Sequence, residues 1–338
     1  MTSRALPLIA VITPATLSIK TSSEQNITII DSLIPNVDYD RSLWFGEWTD
    51  PDIIAHSVHI SRLLLPVATL GSILNIPAPF PNSSYPVDFY GPTISCETLK
   101  SSAFTDRIDK TIASHTIYSW AGNISYVGFV PTARNASTSP TESGMWEDYA
   151  IEGLNRALDR TMSYEAPTVD VTAYETDRGR GGNPATFYVV TPERIGVQAN
   201  RTTRCQLYNS SFAINFTFDN GLQNIKYKTE RLNGVTALAA DDCRLGKRLH
   251  HCNPVTAYFS LMNAMGDMLL GTQWHSGEGV YPTQRTTIGH TTLIETEDMH
   301  YFHYEKPKSL IGNMSMADAL EQLFINMTIS LFSESQFL

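Results

Sequence analysis

Phe212, Ile214, Phe216 and Phe218, and then Ile225 and Tyr227, fall on alternate positions, and the alternation changes phase between the two sets, at Asp219-Asn220-Gly221. A period of two marks a strand with one buried face. An Asn-Gly pair supplies the two positive-φ positions of a type I′ turn at little cost. With Asn220 and Gly221 as the loop, Phe216 faces Ile225, Ile214 faces Tyr227 and Phe212 faces Thr229, while Asn215 faces Lys226 and Ala213 faces Lys228. A three-residue loop would set Phe216 opposite Asn224, so the hydrophobic pattern rejects it. The chain is thereby committed to a sheet with one apolar and one wet face. Cys205 has the outward parity of this strand, which requires either a bulge near Asn209 or a disulfide to a neighbour across that face.

The wet face carries Asn209 and Asn215, each opening an Asn-x-Ser/Thr triplet. Further triplets begin at Asn26, Asn82, Asn123, Asn135, Asn200, Asn313 and Asn326, so nine of the 18 asparagines are glycosylation acceptors by pattern. Chance would supply about three or four in a chain this rich in Ser and Thr. The four cysteines, Cys96, Cys205, Cys243 and Cys252, form an even set that an oxidising compartment would close into two disulfides. Both features point to the cell membrane's extracellular or secretory-lumen side. The spacing favours Cys243 with Cys252, whose eight intervening residues can fold back, which leaves Cys96 with Cys205. A net charge of -10 repels phosphate backbones, so nucleic acid is not an expected partner.

The remaining segments extend the picture. "ALPLIAVI" at 5–12 is far short of the roughly twenty apolar residues a membrane span needs, and no convincing cleavage site follows it. No other segment spans a bilayer, so the chain reads as a fragment whose membrane segments lie outside these residues. Asp50, Pro51 and Pro66 bracket an expected helix over 51–65. "SSYPVDFYGPTISCETL" reads as strand, turn and strand around Cys96, and 114–130 as a hairpin turning near Ala121 to Asn123. Loops are expected at 131–144 and 176–184, a short helix over Trp146 to Leu158, and a strand at "TFYVVT". Asn253, Pro254 and Gly271 bound a helix with an apolar stripe of Val255, Tyr258, Phe259, Met262, Met265 and Leu269. A last helix opens on the capping box Ser315 to Asp318, with Asp318, Gln322, Asn326 and Ser330 as a polar stripe that places Asn326 on an exposed ridge.

Candidate chemistry is sparse. His56 and His59 lie three apart, and His300 and His303 follow Glu295, Glu297 and Asp298, but no HExxH pattern accompanies either pair. Structural roles outweigh metal binding for them, and a local disulfide outweighs a mixed metal site for His250 and His251 between Cys243 and Cys252. There is no G-x-S-x-G elbow and no P-loop, and "GRGG" at 179–182 lacks the third glycine of a dinucleotide fingerprint. Asp241 and Asp242, adjacent in sequence, point apart on a strand and read as a solvated turn. "SLWFGEWTD" at 42–50 reads as buried anchoring ahead of a sugar platform. No cofactor and no metal is expected.

"ITPATLSI" at 12–19, "FYGPTISCE" at 89–97, "CQLYNSSFAINFTFDNGLQNI" at 205–225 and "NMSMADALEQLFINMTISLF" at 313–332 together resemble the extracellular region of an uncharacterised fungal multi-spanning membrane protein family, some of whose members are labelled "formylmethionine deformylase-like". The resemblance covers most of the chain. It implies that membrane helices flank it, the "TPATLS" segment following one and the "LEQLF" helix leading into another. A deformylase would need a metal-bound cysteine in a Gly-Cys-Leu setting and two histidines of HExxH; this chain has neither, and Cys96 sits in "ISCET".

The expectation is an α+β, antiparallel-sheet-dominated ectodomain with about three packed helices. Residues 1–20 form a membrane-proximal segment, 21–312 a single disulfide-linked domain, and 313–338 a C-terminal helix leading towards a membrane span. The expected role is that of a non-catalytic glycosylated extracellular domain of a fungal membrane protein, with surface sensing or cell-wall contact as its work and cell-wall polysaccharide or a membrane protein as its partner. The alternative is a lumenal or extracellular hydrolase using Asp, Glu and His side chains.

Overall fold

The computed structural model describes residues 35–50, 53–117, 123–131, 145–159, 185–193, 200–235, 249–275, 283–284, 286–299 and 312–338. These residues belong to one compact unit, Pro35–Leu338. A helical turn at Ser42–Phe45 opens it, followed by β1 (Gly46–Asp50), β2 (Ile53–His56), α1 (Val58–Leu70), β3 (Ser83–Thr98), α2 (Ala103–Ile117), β4 (Asn123–Phe129), α3 (Met145–Leu158) and β5 (Thr186–Pro192). Then come β6 (Asn200–Asp219), β7 (Leu222–Gly234), α4 (Leu249–Leu269), β8 (Gly271–His275), β9 (Thr283–Gln284) and α5 (Met316–Ser330). All strand pairs are antiparallel. The α+β, sheet-dominated class holds.

Strand β6, 20 residues long, is the spine of a seven-stranded sheet. On one side it pairs with β3 without a register break, from Ser83↔Phe218 to Thr98↔Thr203. Its other side is shared: β5 takes residues 200–206 and β7 takes 208–219. At the fork three backbone bonds tie the branches together. Leu207 donates to Ala185, Ala185 donates to Val235, and Val235 donates to Leu207. Beyond β5 the sheet continues through β4 and β8 to β9, while β1 and β2 form a separate ribbon.

The β6–β7 hairpin follows the alternation of its residues. Asn220 has φ 51° and Gly221 φ 80°, and Phe216↔Ile225, Ile214↔Tyr227, Phe212↔Thr229, Asn215↔Lys226 and Ala213↔Lys228 are the partners found. Cys205 departs from its expected outward place, for it is fully buried. Inward parity runs through Thr203, Cys205 and Leu207 and then changes to Ser210, Phe212, Ile214, Phe216 and Phe218. A register shift against β7 falls at Asn209/Ser210, where the parity changes. The extra residue of that shift is Leu232 on β7, while β6 keeps its register with β3 through Asn209, so of the two devices named for Cys205 the cross-strand disulfide is the one present.

Strand β3 replaces the expected strand, turn and strand: "SSYPVDFYGPTISCET" is one continuous element. Its two prolines carry the explanation. In an antiparallel ladder every second residue turns its N–H away from its partner. Pro86 and Pro92 share parity with Cys96, whose N–H points outward to the Glu321 carboxylate at 2.7 Å. Each proline therefore stands where no ladder donor is needed, on the side of β3 that no strand of the sheet pairs with. Helix α5 covers part of that side, through Glu321 and through the Thr328 hydroxyl, which donates to Pro92 O at 2.9 Å.

The helices depart further from the expected bounds. The expected helix over 51–65 begins instead at Val58, capped by Ser57, whose hydroxyl accepts from Ile60 N, and runs through Pro66 to an αL Gly71. Ile53–His56 is a strand. Residues 114–117, read as the start of a hairpin, close α2 instead. Helix α3 lies where Trp146 to Leu158 was expected. Helix α4 starts four residues ahead of Asn253, and its stripe is wider than six residues, since Leu261, Ala264 and Met268 are buried as well. From Thr256 on it is buried nearly all round, Thr256, Ser260 and Asn263 included, because it lies in the middle of the core.

Two apolar clusters result. The larger joins α1, α4 and α5 with inward residues of β3, β5 and β6; the smaller packs α2 and α3 against Val127, Phe129, Tyr188, Val190 and Trp274. Helix α5 is thus an integral wall of the unit, with Leu320, Phe324 and Met327 fully buried, and the chain after it stays there through Phe332 and Phe337. Among the described residues no helix is long and apolar enough to cross a membrane.

Candidate functional site

The Cys96–Cys205 bridge lies within the β3–β6 pairing, where the two residues face each other with Cα atoms 4.1 Å apart. That is the close approach of a pair that exchanges no ladder bonds, consistent with the Cys96 N–H being turned to Glu321. The expected partner bridge, Cys243 with Cys252, lies outside the described residues: Cys243 is not among them and the side chain of Cys252 is not described.

The structure sorts the glycosylation triplets by environment. Asn82, Asn215 and Asn313 are exposed. Asn82 sits beside the hairpin tip, its Oδ1 accepting from Asn220 N at 2.8 Å. Asn215 stands on the outer face of β6, its Oδ1 accepting from the Ser84 hydroxyl at 3.3 Å. Asn200 and Asn209 are half-buried. Asn200 donates Nδ2 to Asp109 at 2.8 Å, while Asn209 Oδ1 accepts from Tyr258 Oη at 3.1 Å. Burial raises the Tyr258 phenol above its usual range and holds it as the donor in that bond.

Asn326 does not stand on an exposed ridge. It is 4% exposed, its Nδ2 donates to Gly71 O at 3.0 Å and its Oδ1 accepts from Gln322. The polar stripe of α5 is exposed only at Asp318; Ser330 is fully buried, its Oγ accepting from Leu74 N. Spacing identified the stripe, but the loop after α1 packs over its second half. Asn26 and Asn135 lie outside the described residues, as do the loops at 131–144 and 176–184 apart from Pro131; for Asn123 only the backbone is described, at the start of β4.

Outside β3, β6 and β7, the ionisable candidates are scattered. His56 faces Asp267 at 3.5 Å, and burial raises the Asp267 carboxyl while His56 pulls it back. His59 packs edge-on against Trp44, with ring centroids 4.8 Å apart. Trp44 is partly exposed and Phe45 fully buried, so anchoring describes the second of them only. Asp298, close in sequence to the second histidine pair, is buried, ion-paired to Arg201 and accepting from Met316 N at the start of α5, which makes it a structural tie. Among the described residues no group of three His, Cys, Asp or Glu side chains could hold a metal ion. His250, His251, His300, His303, Asp241 and Asp242 lie outside the residues whose side chains are described.

An open trough of about 660 Å³ lies on the outer face of the β3–β6–β7 segment. Ser211 and Ala213 of β6 floor it. Tyr90 and Asp88 of β3 stand on one side, Glu230 and Lys228 of β7 on the other, in the rows Tyr90↔Ser211↔Glu230 and Asp88↔Ala213↔Lys228. Strands about 4.8 Å apart set the two walls roughly 10 Å from each other. Two carboxylates on opposite walls of a solvated trough are placed to accept hydrogen bonds from a polar ligand, and neither is shielded from water by burial. The next row on the same face is Pro86↔Asn215↔Lys226. No signal from alternation alone distinguishes a trough from a flat face; the small residues at 211 and 213 between longer neighbours were the legible sign.

No family model, curated protein or solved structure matches this chain.

Proposed function

We propose that this chain is the non-catalytic, glycosylated extracellular domain of a fungal integral membrane protein, working in surface sensing or cell-wall contact. The observation that carries the reading is the Cys96–Cys205 bridge between β3 and β6, because structural disulfides persist in oxidising compartments and are rare in the cytosol. The exposed triplets at Asn82, Asn215 and Asn313 support it from the other side, since an oligosaccharide can stand only on solvated surface. Asp88 and Glu230 across an open trough, and His56 paired with Asp267, lack the convergent carboxylates in a closed pocket that a hydrolase would use. Expressed through a eukaryotic secretory route, the protein should shrink on gels by several glycans after N-glycosidase treatment. Unchanged mobility would overturn the extracellular assignment.

A further inference from the structure

We infer that the trough on the outer face of β3, β6 and β7 is the bed of the oligosaccharide carried by Asn215, so that this glycan lies along the sheet. The inference rests on the glycosylation reading above and adds to it a binding site for sugar within the chain.

Position comes first. Asn215, Ala213 and Ser211 are successive outward residues of one strand, about 7 Å apart along it. A glycan leaving Asn215 meets the small side chains of the floor before it meets anything else on β6. The orientation of the acceptor agrees. Asn215 Oδ1 accepts from Ser84, which stands one row beyond Asn215 on the side away from Ala213. The planar amide then turns Nδ2, the atom that bears the sugar, away from Ser84, and among the described residues no bond to it is found.

Chemistry comes second. Pyranose rings present apolar C–H faces and equatorial hydroxyls, and they are held by an aromatic face together with charged hydrogen-bonding groups. Tyr90, 65% exposed, offers such a ring two rows from Asn215. Asp88 and Glu230 accept from hydroxyls, and Lys228 donates to hydroxyl or acetamido oxygen. A Tyr exposed to this degree on a sheet is an uncovered apolar surface, and a sugar is the occupant that the acceptor two rows away delivers. Asn36 and Val37 complete its lining.

Secreted protein is first mapped for occupancy at each acceptor, then incubated undenatured with an endoglycosidase, and release is followed site by site. Asn82, at the hairpin tip, is the internal reference. The glycan of Asn215 should be released about five- to tenfold more slowly than that of Asn82, the ratio a contact of ring-stacking strength yields. Tyr90→Ala and Lys228→Ala, both on exposed side chains, should each bring the two rates together without lowering Tm by more than the loss of the glycan does. Equal rates in the unaltered protein, or variants that leave a slow rate unchanged, overturn the bed while the glycosylation reading stands. An Asn215 without sugar beside an occupied Asn82 does the same. Absence of sugar at every acceptor overturns both.

Discussion

Gly153 sits inside α3, where alanine would ordinarily be the better residue by about 1 kcal/mol. Here a Cβ would lie 1.8 Å from Val130 O and 2.9 Å from its carbonyl carbon, backbone atoms that cannot swing aside. Overpacking of that kind costs about 1–3 kcal/mol, so the sign of the usual substitution reverses. Gly153→Ala should lower Tm in thermal unfolding; a rise would contradict the seating of α3 on the strand β4. A second residue-level effect concerns Asp109 on α2. Burial raises its carboxyl above the ordinary value, Asn200 pulls it down by donating a hydrogen bond, and Asp106 adds to the rise. A folded-state value above the unfolded one means that the native protein holds the proton more tightly, so stability from this group falls as pH rises from the ordinary Asp value through the raised one. Asp109→Asn keeps an acceptor for Asn200 and removes the charge. Its Tm advantage over the parent should be absent well below pH 4, grow as pH rises through that window and then level off. An advantage that is the same at every pH would show that the carboxyl is not perturbed.

At the scale of elements, β3 and β6 are joined by their full ladder and by Cys96–Cys205, which closes a loop between positions 109 residues apart. In the chain-entropy account a loop of about 100 residues restricts the unfolded chain by about 4.7 kcal/mol. Replacing both cysteines by serine should therefore move the denaturation midpoint by a free energy of that order, and a change under about 1 kcal/mol would mean that the ladder alone fixes the two strands. The Cys96–Cys205 pairing was reached by elimination, from the spacing of the other two cysteines, whereas the β6–β7 register and the Ser315 cap of α5 were legible directly. Each is set by neighbours in sequence or by parity: Asn220-Gly221 permits one turn, and Ser315 Oγ accepts from Asp318 N at 3.1 Å. Other elements were not legible because distant packing decides them. Pro86 and Pro92 look like strand breakers until α5, more than 220 residues away, is seen beside the outer edge of β3, where Glu321 takes the Cys96 N–H. Pro66 looks like a helix stop, yet α1 continues past it to Val67 and Ala68, which are fully buried. Asn326 reads as an outward member of a four-residue polar repeat, and only the loop from Gly71 laid over α5 shows why its amide is used inside. The candidate site was half visible: the acceptors on β6 could be read, whereas Tyr90 and Asp88 join them only through the β3 register.

Across the whole molecule the same division recurs between interior and surface. Three helices and one face of the sheet enclose the larger core, two further helices cover the β4–β5–β8 part of the sheet, and the outer face of β3, β6 and β7 is left to water with its acceptor and trough. A net charge of -10 and the exposed asparagines suit that surface to solvent and sugar. Modification should follow exposure in the folded protein and not the triplet pattern, because a sugar on Asn326 would displace the Gly71 contact and prevent α5 from closing on the end of α1. Site-resolved glycopeptide mapping of the folded protein, secreted from a eukaryotic host, tests this most directly. The expected result is sugar at Asn82, Asn215 and Asn313 and none at Asn326. Bare asparagine at all three exposed positions, or a folded protein with sugar on Asn326, would contradict it.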